Sequence, residues 1–226
     1  PAGNSIIATM KPGLAMLLEL LPETKRAAPT GRTLPPPPKV SDPIPIDYLL
    51  HTLSQAMPAD AVLVEEAPSH RPAMHKYLPM RGANSFYTMA SGGLGWSLPA
   101  SVGIALAHPG RRTVCLIGDG SAMYSIQALW TAAQRKLPIT VVVINNSGYG
   151  AMRSFSQVMQ VRNVPGLDLP GLDFVKIAEG LGAHATRVGN CSELAGAFRQ
   201  SLQHAGVSLV EVVVDSAVPV LYGQKH

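Results

Sequence analysis

Cysteine, charge and long apolar runs are all scarce in this chain of 226 residues. The two cysteines, Cys115 and Cys191, show no spacing typical of a disulfide framework or a metal cluster, which favours a reducing, cytoplasmic environment. Charged residues make up 14% of the chain, and the net charge of +4 comes without any run of Lys and Arg among aromatics, so we expect no nucleic-acid binding. No apolar run is long enough to span a bilayer and no signal-peptide pattern is present, so we expect no membrane association.

Glycine and proline are abundant instead, with 21 and 20 residues. Residues 1–26 contain a predicted short strand and an apolar helix, too little for a core, and are interpreted as the remnant of a preceding domain. The alternative is an arm that packs on the same domain or on a neighbour. Residues 27–45 form a proline-rich linker, and residues 46–226 form the main domain.

The main domain alternates strands with helices. Helices are predicted at IDYLLHTLSQAM, RPAMHKYL, GWSLPASVGIALAH, FVKIAEGLG and SELAGAFRQSLQHA, and strands at AVLVEE, SFYTM, RTVCLI, ITVVVIN, HATRV and SLVEVVV. This order predicts an α/β fold, a doubly wound parallel sheet with helices on both faces.

The most informative stretch is CLIGDGSAMYSIQALWTAAQRKLPITVVVINNSGYGAMR, residues 115–153. It contains two buried strands and, between them, a predicted helix capped by Ser121. Because the strands of such a unit are parallel, Asp119 and Asn146 at their carboxyl ends should face one crevice. Their oxygens suit Mg²⁺ bound through a diphosphate, and the helix start offers N–H groups to the phosphates. Either residue alone would fit an ordinary turn.

This spacing also carries a resemblance. Gly118-Asp119-Gly120 followed after 24 residues by Asn145-Asn146 resembles the cofactor motif of the thiamine-diphosphate-dependent enzymes. The resemblance extends from about His51 to Val220 and is nearest to the benzoylformate decarboxylases, through GDGSAMYSIQALWTAAQ, NNSGYGAMR and NVPGLDLPGLDF. It implies that Mg²⁺ is bound by Asp119, Asn146 and the Gly148 carbonyl. It implies cofactor contacts from Gly118, Gly120, Ser121, Tyr149, Gly150 and Ala151.

The segment SGGLGWSLP is a second part of the resemblance. Leu94 matches the large apolar residue that holds the two rings of the cofactor in a bent shape in these enzymes, and Gly92 would offer its carbonyl to the amino group of the pyrimidine. Taken alone, Leu94 would be an ordinary core residue. A dinucleotide-binding loop is the other alternative, but the segment lacks the full glycine spacing.

Four further residues are candidates on the same basis. Ser69 keeps one hydroxyl in a segment that is hydroxyl-rich near the cofactor in the benzoylformate decarboxylases. Tyr124 falls where a hydroxyl can reach the phosphates, with core packing as the alternative. Met152 and Phe155 fall where the resemblance places the wall of the substrate pocket, and there too core packing is the alternative.

The resemblance implies a carbon-carbon lyase. The reaction would be the non-oxidative decarboxylation of an aryl 2-keto acid, benzoylformate, to benzaldehyde and carbon dioxide, with thiamine diphosphate and Mg²⁺ in a homodimer or homotetramer. In these enzymes the activating glutamate and the proton-transferring histidines belong to other domains, so no catalytic residue and no role for any of the seven histidines is assigned here. The alternatives are a carboligating relative, of the acetolactate synthase or benzaldehyde lyase type, and a cofactor-binding fragment that is inactive alone.

Overall fold

The computed structural model of the protein describes residues 3, 5–23, 27, 33–217 and 221. Its contacts divide the chain into two units, Pro1–Thr33 and Leu34–His226. Within the first unit, helix α1 (Met10–Leu20) forms as predicted and buries none of its residues. The strand predicted before it is wrong, because residues 5–9 are irregular. A strand requires a neighbouring strand for its backbone hydrogen bonds, and this short segment pairs with none among the described residues.

The second unit is built around a six-stranded sheet. The strands are β1 (Val62–Glu66), β2 (Phe86–Thr88), β3 (Thr113–Gly118), β4 (Ile139–Asn145), β5 (His184–Val188) and β6 (Ser208–Val213). Every pair of neighbouring strands is parallel, and their order is β2-β1-β3-β4-β6-β5. Central strands are buried on both faces, as the run VVVI in β4 is, which favours β-branched residues.

Helices cover both faces of the sheet, which confirms the predicted fold class. The helices are α2 (Ile46–Ala56), α3 (Arg71–Tyr77), α4 (Ser97–Ala107), α5 (Asp119–Ala122), α6 (Ala128–Gln134), α7 (Gly150–Val158), α8 (Phe174–Gly180) and α9 (Cys191–Gln203). Alternate residues of β3 show the two faces: Val114 and Leu116 pack with α2, α3 and α9, whereas Cys115 and Ile117 pack with α4, α6 and α8. None of the helices among the described residues is long and apolar enough to cross a membrane.

The region after β3 differs from the prediction. One helix capped by Ser121 was expected, but α5 already begins at Asp119, so Ser121 lies inside it and does not cap it. The backbone between α5 and α6 makes bonds between residues three apart, such as Tyr124 N–H to the Ser121 carbonyl, instead of the α-helical pattern. Trp130, in the second half of this region, is 56% exposed. The turns between Met123 and Gln127 therefore divide the predicted helix into two short ones.

Candidate cofactor and metal site

A cavity of about 330 Å³ opens at the carboxyl ends of β1, β3 and β4. Such crevices are where open parallel sheets bind ligands, and this volume lies in the range of small-molecule sites. Most of the residues predicted for the site line this cavity: Ser69, Gly92, Leu94, Gly118, Asp119, Gly120, Ser121, Asn146, Gly148, Tyr149, Ala151 and Met152. Gly150, Tyr124 and Phe155 are outside its lining.

Three oxygen atoms converge at the base of the cavity. The side-chain oxygen of Asn146 lies 3.3 Å from Asp119 Oδ1 and 2.8 Å from the Gly148 carbonyl oxygen. With the amide turned over, its nitrogen would donate to both oxygens. Neighbouring oxygens in an octahedral Mg²⁺ shell, with metal–oxygen distances of about 2.0–2.1 Å, are about 2.9 Å apart. The oxygen-facing orientation therefore fits a divalent cation held by the three residues predicted as its ligands.

The charge of Asp119 also favours a cation. The side chain is 2% exposed, and its carboxylate accepts hydrogen bonds from the N–H groups of Gly120 at 2.7 Å and Gly148 at 2.9 Å. Burial raises the pKa of Asp119 above its usual value, while these N–H groups and the positive charge of Arg153 act in the opposite direction. Arg153 itself donates to Ser147 and Asp168. A bound cation would stabilise the ionised form of this buried carboxylate.

Close packing around the carboxylate requires two of the glycines. A Cβ on Gly120 would collide with the ring of Tyr149, and one on Gly148 would collide with the Arg153 guanidinium and the Leu167 carbonyl. The loop that contains Gly148 is further tied down by the Tyr149 N–H, which donates to the Leu167 carbonyl at 2.9 Å. These contacts bring the loop after β4 against the start of α5, so that Asp119 and Asn146 meet.

The two asparagines after β4 have different surroundings. The Asn145 side chain accepts from the Ser147 N–H at 3.0 Å and donates to Glu211 Oε1 at 2.7 Å, so it shapes the loop. Ser147 has a φ of 57°, a conformation that non-glycine residues seldom adopt, and its N–H bond to Asn145 helps to hold it. Asn146, 3% exposed, is the one that faces Asp119.

Helix α5 spans only four residues, so the predicted helix start at Ser121 supplies a weaker dipole than expected. The nine-residue helix α7 begins beside the same cavity. Its Ala151 N–H donates to Ser69 Oγ at 2.8 Å, which joins α7 to the turn after β1. Two helix starts, rather than one, therefore face the cavity.

Three predicted residues are placed differently from the rest. Tyr124 is 57% exposed and is not packed in the core, so its core alternative is wrong. Phe155 is 45% exposed and lies outside the cavity lining, whereas Met152, 50% exposed, lines it. Gly150 lies behind the lining, where a Cβ would come within 2.8 Å of Asn146 Nδ2. The structure thus brings Met152, but not Phe155, to the candidate substrate side.

Sequence reasoning assigned no role to four polar residues near the cavity. His70 and Arg71 line it, and Glu65 and Glu66 end β1 with no exposed surface. His70 is 7% exposed, its Nε2 has no hydrogen-bond partner among the described residues, and burial lowers its pKa to about 4. The available signal was positional, since all four lie at or just after the carboxyl end of a buried strand.

A family model described as thiamine pyrophosphate enzyme, C-terminal TPP binding domain, matches residues 67–212. The chain belongs to this family. Thiamine pyrophosphate is another name for thiamine diphosphate, so the match agrees with the resemblance read from the glycine and asparagine motifs. The matched range includes the whole cavity lining, from Ala67 to Met152.

Individual members of the family are similar over most of this chain. Benzoylformate decarboxylase of Pseudomonas aeruginosa is 38% identical over 224 residues, 97% of this chain and 42% of that protein. Acetolactate synthase isozyme 1 large subunit of Escherichia coli is 28% identical over 214 residues, 90% of this chain and 38% of that protein. The solved thiamine diphosphate-dependent 4-hydroxybenzoylformate decarboxylase of Rhodococcus jostii has a TM-score of 0.87 and 36% identity, and covers 96% of this chain and 41% of its own. The chain spans about two fifths of the length of these relatives.

Proposed function

We propose that this chain is the cofactor domain of a thiamine-diphosphate-dependent decarboxylase that converts benzoylformate to benzaldehyde and carbon dioxide. The convergence of the Asp119, Asn146 and Gly148 oxygens at the base of the cavity carries the proposal. When bound, the cofactor supplies an electron sink for the carbanion left as carbon dioxide departs. The contribution of this chain is to bind that cofactor, orient it and shield it from water.

The residues of the cavity divide into two groups with separate tasks. Asp119, Asn146 and Gly148 would hold Mg²⁺ and, through it, the diphosphate, next to the N–H groups of α5 and α7. Leu94 and Gly92, on the loop before α4, would contact the ring end of the cofactor. Fixing both ends orients the reactive part of the cofactor toward the substrate.

The preference for an aryl substrate rests on the apolar part of the lining. Met89, Leu94 and Met152 contribute large, adaptable apolar side chains that suit an aromatic ring. His70, in the turn after β1, and Arg71, at the start of α3, add polar groups to the cavity lining. The names of two similar proteins, a benzoylformate decarboxylase and a 4-hydroxybenzoylformate decarboxylase, point to the same substrate class.

The complete native protein, loaded with thiamine diphosphate and Mg²⁺, tests this proposal. We expect it to convert benzoylformate to benzaldehyde and carbon dioxide in equal amounts, and to convert pyruvate less efficiently. Chromatography of the products together with carbon dioxide release measures both. A loaded protein that leaves benzoylformate unchanged would contradict the proposed substrate.

The second candidate function is carboligation, which the similarity to an acetolactate synthase favours. In that case pyruvate, or two aldehydes, would yield a hydroxyketone as the main product in the same assay. A third alternative is that the 226-residue chain binds the cofactor without turnover of its own. We further propose a homo-oligomer, dimer or tetramer, as the active form, to be measured by light scattering of the complete protein.

A further inference from the structure

Two adjacent glutamates end strand β1, and neither has any exposed surface. Neighbouring residues of a strand point to opposite faces of the sheet, so Glu65 and Glu66 reach different parts of the structure. We propose that both are positioning residues for the cofactor cavity: Glu66 holds the loop at its ring side, and Glu65 holds the turn at its diphosphate side. This inference rests on the cofactor-binding function proposed above.

Glu66 is bonded to the loop that carries Leu94. Its Oε1 accepts from the Gly95 N–H and its Oε2 from the Ser97 N–H, both at 2.6 Å. Hydrogen bonds to an ionised carboxylate are short and strong, and these two fix the loop directly after Leu94. The position of Leu94 in the cavity therefore depends on a side chain from β1.

The same carboxylate also begins helix α4. Ser97 is the first residue of this eleven-residue helix, and the side chain of Trp96, in the cap position, makes no capping hydrogen bond. The negative charge of Glu66 lies at the positive end of the helix dipole, where an acidic group is stabilising. Glu66, a residue of β1, thus takes the role of the capping residue that α4 lacks locally. Its bonds link the loop, the helix and the sheet.

Glu65 organises the opposite side of the cavity. Its Oε1 accepts from the Ala67 N–H at 2.7 Å, and its Oε2 accepts from Thr88 Oγ1 at 2.8 Å and Arg71 Nε at 3.1 Å. These bonds join the turn after β1 to β2 and to α3. The turn contains Ser69, whose hydroxyl accepts from the first turn of α7. Glu65 therefore holds the part of the lining that meets the loop of Asn146 and Gly148.

The chemistry of these contacts requires carboxylates. Each glutamate accepts bonds with both oxygens, whereas a glutamine offers one acceptor oxygen and would aim its NH₂ group at an N–H donor. Burying two acids is costly unless every bond is made, and a sheet that needed only a packed core would be served by apolar residues. The cost is offset for Glu66 by two backbone N–H groups of the loop before α4. For Glu65 it is offset by one backbone N–H of the turn after β1, the Thr88 hydroxyl and the Arg71 guanidinium.

Two ligands allow the two sides of the cavity to be tested separately. Inorganic pyrophosphate with Mg²⁺ occupies the diphosphate side alone, while thiamine diphosphate with Mg²⁺ needs both sides. In the complete native protein, we expect Glu66→Gln to weaken thiamine diphosphate binding on the order of tenfold or more, the effect of losing a hydrogen bond to a charged group, and to leave pyrophosphate binding unchanged. Glu65→Gln should weaken both ligands. Titration calorimetry measures the two affinities without any turnover.

Ser208→Ala is the matched control. The Ser208 hydroxyl is fully buried and donates to the Ser201 carbonyl at 3.0 Å, at the end of the sheet opposite the cavity. Its loss should lower the melting temperature and leave both affinities unchanged. Glu66→Asp keeps the charge but shortens the side chain by one methylene, so it should show the same selective loss to a smaller degree, and it serves if Glu66→Gln does not fold.

The outcomes distinguish this inference from the proposed function. If the wild-type protein binds neither ligand, the cofactor function itself is wrong. If the wild-type protein binds both and the Glu66 variants bind thiamine diphosphate as tightly as it does, or lose both ligands equally, Glu66 does not position the ring side. Pyrophosphate binding that is unchanged in Glu65→Gln would overturn the role of Glu65.

Discussion

The buried imidazole of His70 should make the stability of this fold depend on pH. His70 is 7% exposed in the cavity lining, and its Nε2 has no hydrogen-bond partner among the described residues. Burial lowers its pKa from 6.5 to about 4, because the charged imidazolium would lose its hydration. The folded protein therefore keeps His70 neutral at pH values where the unfolded chain already binds a proton.

The sign and size of the effect follow from this difference. Between about pH 6.5 and pH 4 the unfolded state binds more protons than the folded state, so the free energy of unfolding falls as the pH falls. The contribution is fully present above pH 6.5 and is lost on the way to pH 4. A difference of 6.5 − 4 = 2.5 pKa units corresponds to about 3 kcal/mol, an upper value for this one residue.

Urea unfolding of the cofactor-free protein at pH 7.5, 6, 5 and 4.5 measures this loss. His70→Phe keeps a flat ring in the same place but cannot titrate, so its stability should fall less than that of the wild type over this range. His108→Gln, which removes a histidine outside the cavity, is the control and should retain most of the wild-type pH dependence. If His70→Phe and the wild type lose equal stability, His70 is not the buried neutral group inferred here.

Three other predictions concern the site. Replacing Asp119 with Ala should lower thiamine diphosphate affinity in the presence of Mg²⁺ by about tenfold or more, since it removes a proposed metal ligand; unchanged calorimetric affinity would contradict this. Gly120→Ala adds a Cβ against the Tyr149 ring and should cost about 1–3 kcal/mol in thermal unfolding, whereas Gly103→Ala, whose Cβ meets nothing within 4 Å, should not destabilise. Met152→Ala should raise the KM for benzoylformate and Phe155→Ala should not, because Met152 lines the cavity and Phe155 does not. A KM of Met152→Ala equal to that of the wild type in steady-state assays would show that Met152 does not contact the substrate.

Much of the cavity could be predicted from local patterns combined with one topological rule. The apolar runs that became β3 and β4 are buried on both faces, and a parallel unit brings the carboxyl ends of its strands to one edge. Asp119 and Asn146 were therefore expected to meet, and they do. The ligand roles, and the Mg²⁺ itself, stay predictions for the binding experiments above.

Other features depend on contacts that no local pattern contains. The division between Asn145, which shapes the loop, and Asn146, which faces Asp119, depends on Glu211 from a distant strand. The predicted single helix after β3 became α5 and α6, because the backbone turns tightly between them. Phe155 and Met152 are three residues apart on α7, and only the docking of that helix decides which one reaches the cavity.

The sequence by itself determined the fold class and the meeting of the Asp119 and Asn146 side chains at the carboxyl ends of β3 and β4, because both follow from hydrophobic patterning and from the direction of parallel strands. The tertiary structure alone decided what Glu65, Glu66 and His70 do. An acidic pair at the end of a strand and a histidine shortly after it look like ordinary surface residues until the fold buries them. A buried carboxylate must accept hydrogen bonds from protein groups, because it has lost its contact with water. The donors to Glu65 and Glu66 lie from two to 31 positions away along the chain, so only the folded structure identifies them.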